Sequence, residues 1–184
     1  MHIAAVRGHA DVVSWLLELR ADKDRRTRDG GEGPLYFATL NGHLEVLHAL
    51  LDARAELNTT TTDVCSTPLH CAAQYGDAEF VRLLLEAGAE KDAIQQDGTT
   101  ALYIAADAGK VEVVQLLLEL RADQSKASYE DCLMPLHAAA RSGHVCALQA
   151  LLEVRADQDK PQEMWVHDHC TWLLVTDMWK WFVR

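Results

Sequence analysis

Five similar segments follow one another along this chain at a nearly constant period. The glycines that mark them, Gly8, Gly42, Gly76, Gly109 and Gly143, are separated by 34, 34, 33 and 34 residues. Each glycine is followed eight residues later by a Leu-Leu-acid run and thirteen residues later by Ala-Asp or Ala-Glu. Sequences that repeat at this interval fold as stacked arrays of one small unit. Such an array builds an extended surface and rarely a catalytic pocket.

Each unit is predicted to be a pair of helices followed by a loop. In the central unit Pro68 stands where the first helix begins, and proline suits this position because its missing N–H would have no helical partner. Thr67 is placed to cap that helix and Gly76 to end it. The second helix has one apolar face and one charged face. The turn signal at Asp97 and Gly98 then predicts a projecting hairpin or loop.

The helix-start motif points to a known family. The central unit reads Thr-Pro-Leu-His-Cys-Ala from Thr67 to Ala72, which resembles the signature of the ankyrin repeat. Equivalent runs begin at Gly33, Thr100 and Met134, and residues 1–160 share the resemblance. It implies an all-α solenoid of stacked helix-turn-helix units joined by hairpin-like loops. We therefore predict an ankyrin repeat array at 1–160, with five copies of which the first is truncated, and a Trp-rich tail at 161–184.

The tail leaves the repeat pattern. Trp165, Trp172 and Trp179 are spaced seven residues apart, which is typical of a helical stripe. We favour a capping helix over the last repeat. A docking site for another protein and a sequence without a native role are the alternatives. A helix lying on a membrane is disfavoured because acidic residues outnumber basic ones in the tail.

The first copy lacks its loop and its helix cap, because Met1 stands where later copies have the leucine of the helix start. We therefore expect that the chain is a fragment of a longer protein or that its start is assigned incorrectly. An alternative function follows from this expectation, namely a targeting array broken off a larger enzyme or channel.

Charge and cysteine content restrict the partners and the compartment. The net charge of −11 argues against nucleic acid or an anionic membrane as a partner, since both require clustered Lys and Arg. The acidic residues recur on the outer face of the second helices, which predicts a solvated face. No apolar run is long enough for a transmembrane helix. Five cysteines without a Cys-x-x-Cys motif favour reduced thiols and a cytoplasmic location.

The sequence holds little that suggests chemistry. Six of the nine histidines recur at fixed positions of the repeat, and the resemblance implies a structural role for them. The run His167-Asp168-His169-Cys170 has metal-ligand residue types, but its spacing is too tight for a standard zinc site. Phosphate-binding, nucleotide-binding and hydrolase motifs are absent. We therefore predict a non-enzymatic protein without cofactor or metal.

Two backbone positions depart from the family pattern. Where the third copy has Gly88 after its second helix, the other copies have arginine, at positions 20, 54, 121 and 155. Either this residue is left-handed, at a cost of about 1 kcal/mol relative to glycine, or the turn differs and the arginine interacts with the helix dipole. We favour the first interpretation. In the loops, Val64 and Asp131 replace Gly30 and Gly98, so we expect those two tips to fold differently.

The resemblance implies a protein-interaction module that binds through its loop tips and the inner face of its first helices. We expect a monomer with one protein partner, and neither nucleic acid nor membrane as ligand. Tyr75 and Tyr129 are the strongest anchor candidates, because aromatic residues dominate interface energetics. The loop around Arg26 is the one basic patch of the chain. The predicted partner-binding residues are Arg26, Arg28, Asn41, Gln74, Tyr75, Asp97, Asp107, Tyr129 and Arg141.

Overall fold

The computed structural model describes residues 1–130 and 132–158, with side chains up to Val154. Ten α-helices in these ranges form five consecutive pairs. The pairs are α1 (His2–Arg7) with α2 (Ala10–Glu18), α3 (Pro34–Leu40) with α4 (Leu44–Asp52), α5 (Pro68–Tyr75) with α6 (Ala78–Glu86), α7 (Ala101–Asp107) with α8 (Val111–Glu119), and α9 (Pro135–Arg141) with α10 (Val145–Gln158). The predicted all-α solenoid is confirmed. In the described part of the chain, strand-like pairing is limited to one isolated bridge between Ile94 and Thr100.

The helix pairs stack in the order of the chain. The first helices α1, α3, α5, α7 and α9 pack against one another in series, and among the second helices α8 packs against both α6 and α10. Leucines in the same position of successive copies, such as Leu69 and Leu102, are fully buried between repeats. Each unit therefore buries its apolar face against the neighbouring units. The acidic residues of the second helices are exposed, as expected.

Side-chain caps fix the helix starts. Thr67 Oγ1 accepts a hydrogen bond from His70 N, and Thr67 N donates to His70 Nδ1 at 3.1 Å. Thr100 Oγ1 accepts from Tyr103 N at 3.2 Å in the same position of the next unit. Asp77 caps α6 by accepting from two amides of its first turn. These caps satisfy amides that have no partner within the helix.

The arginines after the second helices adopt the left-handed conformation in three copies. The φ angles are 56° at Arg20, 57° at Arg54 and 57° at Arg121, beside 101° at Gly88. The interpretation that the arginine is left-handed, at a conformational cost, is therefore confirmed for Arg20, Arg54 and Arg121. At Arg155 it is wrong, because α10 continues past this residue. Continuing the helix avoids the left-handed cost of about 1–2 kcal/mol.

In the inner copies, hydrogen bonds between successive loops stabilise this turn and so offset the conformational cost. The Asp24 carboxylate, for example, accepts a hydrogen bond from Glu56 N at 2.7 Å, and the Asp92 carboxylate accepts from Asp123 N at 2.8 Å. These bonds tie each loop to the next one and so fix where the preceding helix ends.

All four loops carry a left-handed residue three positions before the next first helix begins. The left-handed residue is Gly31, Cys65, Gly98 or Cys132 in successive loops, with φ angles of 71°, 56°, 82° and 53°. Three of the four loops are one residue longer than the loop around Gly98, and their additional residue therefore precedes the left-handed position. Val64 does not need a positive φ, and the prediction that its tip folds differently is wrong. Asp131 itself is outside the described residues.

The predicted tail at 161–184, including the run at 167–170, also lies outside the described residues. Within the described ranges, no helix is both long enough and apolar enough to span a membrane.

Candidate functional site

Backbone hydrogen bonds join the loop tips into one continuous edge. Amides of one tip donate to carbonyl groups of the preceding tip. These bonds run from Thr62 to Gly30 (2.9 Å), from Gln96 to Val64 (3.0 Å) and from Tyr129 to Asp97 (2.7 Å). Side chains on neighbouring tips are therefore held at fixed relative positions, which is what a recognition surface requires.

The repeated histidines hold the loops against the helices. His70 Nε2 donates to the Ala93 carbonyl of the next loop at 3.0 Å, and burial lowers the pKa of this histidine. His43 Nε2 lies 3.0 Å from the Val6 carbonyl of the preceding repeat. The structural role implied by the resemblance is thus observed at both positions.

A groove of about 340 Å³ lies between the loop tips and the first helices of the last three repeats. We call it the inner groove. Its lining residues are Gln74, Gln95, Asp97, Thr99, Tyr103, Ile104, Asp107, Ala108, Ser128, Glu130 and Arg141. Four residues predicted from the sequence, on three different repeats, are brought together here: Gln74, Asp97, Asp107 and Arg141.

An ion pair between neighbouring helices occupies part of the groove. Arg141 Nη2 on α9 lies 3.2 Å from Asp107 Oδ1 on α7 and donates to the Tyr103 hydroxyl at 3.3 Å. Ser142 Oγ donates to the same Asp107 oxygen at 2.7 Å. These contacts fix the positions of the charged groups. The sequence did not predict a role for Tyr103, although this residue occupies the position that His70 has in the preceding copy.

The side chains that line the inner groove carry a net negative charge. Asp107 is balanced by Arg141, whereas Asp97 and Glu130 take part in no ion pair among the described residues. Asp97 Oδ1 accepts hydrogen bonds from Thr99 N at 3.0 Å and Thr99 Oγ1 at 2.7 Å, so its carboxylate is fixed in place. A groove with this charge attracts a cationic side chain and repels an anionic one.

Two exposed tyrosines are next in sequence to residues that line the inner groove. Tyr75 at the end of α5 is 60% exposed and Tyr129 on the fourth tip is 66% exposed. The Tyr129 ring lies on Gly98, since a Cβ atom built on that glycine would come within 2.8 Å of the ring. One face of this ring is therefore supported by the array and the remainder is available to a partner.

The other predicted residues do not line this groove. Arg26 Nε donates to the Gly31 carbonyl at 2.8 Å, and its guanidinium also donates to Thr60 on the next tip. Arg26 thus links two tips and has a structural role. Arg28 is exposed in the same loop. Asn41 is exposed at the end of α3, where its side chain donates to the Phe37 carbonyl at 2.8 Å.

Metal-ligand side chains and cysteines are the groups of the described residues that bear on metal and thiol chemistry. No group of three or more His, Cys, Asp or Glu side chains among them could hold a metal ion. The four described cysteines are free thiols. Burial raises the pKa of Cys71 to about 12, so this thiol stays protonated at neutral pH.

Comparison with known families agrees with this architecture. Models of ankyrin repeats match residues 1–51 (many copies) and 58–128 (three copies), and a model of the single ankyrin repeat matches residues 133–161. The chain therefore belongs to the ankyrin repeat family. Ankyrin repeats are in general protein–protein interaction modules. No curated protein matches the chain well enough to count as a relative.

Proposed function

We propose that this protein is a non-enzymatic interaction module that binds a protein partner through the inner groove. The observation that carries the proposal is the convergence of Gln74, Asp97, Asp107 and Arg141 on one groove. These residues differ between copies, whereas the buried positions repeat. A scaffold of repeated units needs no such convergence of unlike polar side chains for its own stability.

The partner segment carries a lysine or arginine next to an aromatic or aliphatic residue. Asp97 and Glu130 provide acceptors for the cation, and their charge also raises the rate of encounter with a basic segment. Tyr75 and Tyr129 provide apolar contact and the opportunity for a cation–π interaction. Exposed aromatic side chains of this kind supply much of the binding energy in protein interfaces.

Affinity capture from the native cell, with matched variants as bait, tests the proposal. Glu130→Lys changes a lining residue of the inner groove, and Tyr75→Ala changes an exposed residue next to the lining residue Gln74. Glu45→Lys makes the same charge change on the exposed side of α4 and serves as the control. We expect a protein that is retained by the unchanged chain and by Glu45→Lys and that is lost with both groove variants. Equal capture by all of these baits would reject the inner groove as the binding surface.

The alternative function, a targeting array of a larger enzyme or channel, stays a prediction. Binding through the inner groove is compatible with either role, because a targeting array also acts by holding a partner.

A further inference from the structure

A second groove lies on the opposite side of the array. It has a volume of about 560 Å³ and runs between α6 and α8, near the ends of both helices. We call it the outer groove. Its floor is apolar and is built from Leu85, Ala89, Leu116 and Leu120. Leu120 is 43% exposed, so part of this floor is open to solvent.

The rim of the outer groove is acidic. Glu86, Glu90 and Glu119 are exposed, and none of them takes part in an ion pair among the described residues. Lys91 is already engaged, since it pairs with Asp92 and donates to the Arg121 carbonyl at 2.9 Å. Arg82 is the other cation at the rim. An apolar floor with acidic walls selects a ligand that combines large apolar side chains with positive charge.

One segment of this chain has that composition. Residues 178–184 read Met-Trp-Lys-Trp-Phe-Val-Arg, with five apolar residues, two cations and no acid, in a protein of net charge −11. We propose that this segment binds in the outer groove of its own molecule. Its aromatic side chains cover the leucines, and Lys180 and Arg184 lie against the carboxylates of Glu86 and Glu119. This site is separate from the inner groove and does not depend on its function.

The position of the groove suits an intramolecular ligand. The helix α10 packs against α8, and α8 packs against α6. Packed helices lie about 8–10 Å apart, so the outer groove is about 15 Å from α10. Nineteen residues separate Gln158 from Met178. A random coil of that length spans about 25 Å, which is sufficient to reach the groove. The connection also gives the segment a local concentration on the order of millimolar.

The two competing surfaces are less suitable. The inner groove is lined mainly by polar side chains, with Ile104 as its one large aliphatic residue. It would leave most of the apolar area of the segment in contact with water. On the last repeat, where a capping helix was expected, Val145 is 61% exposed and Leu152 is 47% exposed, and the exposed Glu153 follows Leu152 in the chain. Of the two grooves, the outer one offers the larger apolar floor at a similar net negative charge, and three exposed glutamates stand at its rim.

Tryptophan fluorescence of the full-length chain tests the site. Replacing Trp15, Trp165 and Trp172 by Phe leaves Trp179 and Trp181 as reporters. We expect blue-shifted emission with protection from acrylamide. Leu120→Asp should shift the emission to the red and remove the protection. Leu152→Asp is the matched control, because it changes a leucine of similar exposure on α10. The proposal would be overturned if the protein with an unchanged groove already showed the emission of solvent-exposed tryptophan. It would also be overturned if Leu152→Asp, and not Leu120→Asp, exposed the two tryptophans.

Zero-length carbodiimide cross-linking provides an independent test. Lys180 should couple to Glu86 or Glu119 in the full-length chain, as identified by mass spectrometry. A mixture of ¹⁵N-labelled and unlabelled chains shows whether the link lies within one molecule. Coupling within one chain supports the proposal. Links between chains, links of Lys180 to Glu130 or Glu153, or no Lys180 link to any rim carboxylate would contradict it, and each identifies a different location for the segment.

Discussion

The guanidinium of Arg141 lies 3.2 Å from the carboxylate of Asp107 on the adjacent repeat, and this pair orders the centre of the inner groove. Both side chains are about half exposed, at 48% and 41%. An ion pair with this exposure contributes little to stability, because water screens it and its side chains lose conformational entropy. Its main effect is to hold the two charged groups in defined positions.

We therefore expect Asp107→Ala to lower the free energy of unfolding by less than about 1 kcal/mol. A double-mutant cycle with Arg141→Ala should give a coupling energy of about 0.2–1 kcal/mol. Urea denaturation of the four proteins measures both values. A coupling well above that range would show that the pair is a structural element of the array.

The arginine after α4 provides a test of backbone strain. Arg54 has a φ of 57°, and a left-handed residue with a Cβ atom costs about 1–2 kcal/mol. Glycine removes this cost but loses about 0.4–1 kcal/mol through the greater freedom of the unfolded chain. We expect Arg54→Gly to raise the free energy of unfolding by roughly 0.5–1 kcal/mol. The reverse change, Gly88→Arg, should lower it by a similar amount. A loss of stability in Arg54→Gly would show that the arginine side chain makes a compensating contact.

Much of the array could be predicted from the sequence. The period, the helix-start prolines and the apolar stripes define each helix pair, because every unit satisfies the same local constraints. The turn at the loop tips could not be placed in the same way. Gly30 and Gly31 both tolerate a positive φ, so only the structure shows that the second residue, equivalent to Cys65, is left-handed.

The inner groove was predictable only in part. Gln74, Asp107 and Arg141 follow from the register of the first helices. Tyr103 and Ile104 do not, because whether such a residue faces the groove depends on how closely the next repeat approaches. The role of Arg26 was also hidden, since its partner Thr60 belongs to the neighbouring tip.

Close approach between repeats is testable at a glycine. Gly109 has a φ of 68°, and a Cβ atom there would come within 2.5 Å of the His144 ring. Gly42 has a φ of 70° but no atom within 4 Å of the same position. Gly42→Ala therefore reports the backbone cost alone, which we expect to be about 1 kcal/mol. Gly109→Ala should cost more, because the imidazole must also move. Equal losses of stability in urea denaturation would show that His144 can shift without penalty.

Thiol labelling tests the burial of the core cysteine. The pKa of Cys71 is about 12 because the thiol is buried, whereas Cys132 and Cys146 are exposed. In a Cys170→Ser background, iodoacetamide at pH 8 should modify Cys132 and Cys146 and leave Cys71 intact. Peptide mapping by mass spectrometry identifies the modified residues. In denaturant all of them should react. Labelling of Cys71 in the native protein would indicate that the third repeat opens locally.

The buried histidine predicts a dependence of stability on pH. Burial lowers the pKa of His70 in the folded state, while the unfolded chain keeps a value near 6.5. As the pH falls below about 6.5, the unfolded state binds a proton before the folded state does. Stability from this residue is therefore complete above pH 6.5 and declines as the pH falls toward the pKa of the folded state, by at most about 1.4 kcal/mol per pH unit.

Other acidic and basic groups also titrate, so the difference from a variant isolates the effect of His70. His70→Gln removes the titration and retains an N–H that can reach the Ala93 carbonyl, which His70 Nε2 contacts at 3.0 Å. We expect this variant to be less stable at pH 7, because the amide fits the site less well, but to lose less stability between pH 7 and pH 5. Urea denaturation at several pH values gives both curves. Parallel curves would contradict the assignment, since they would mean that His70 takes up its proton equally in the folded and unfolded states.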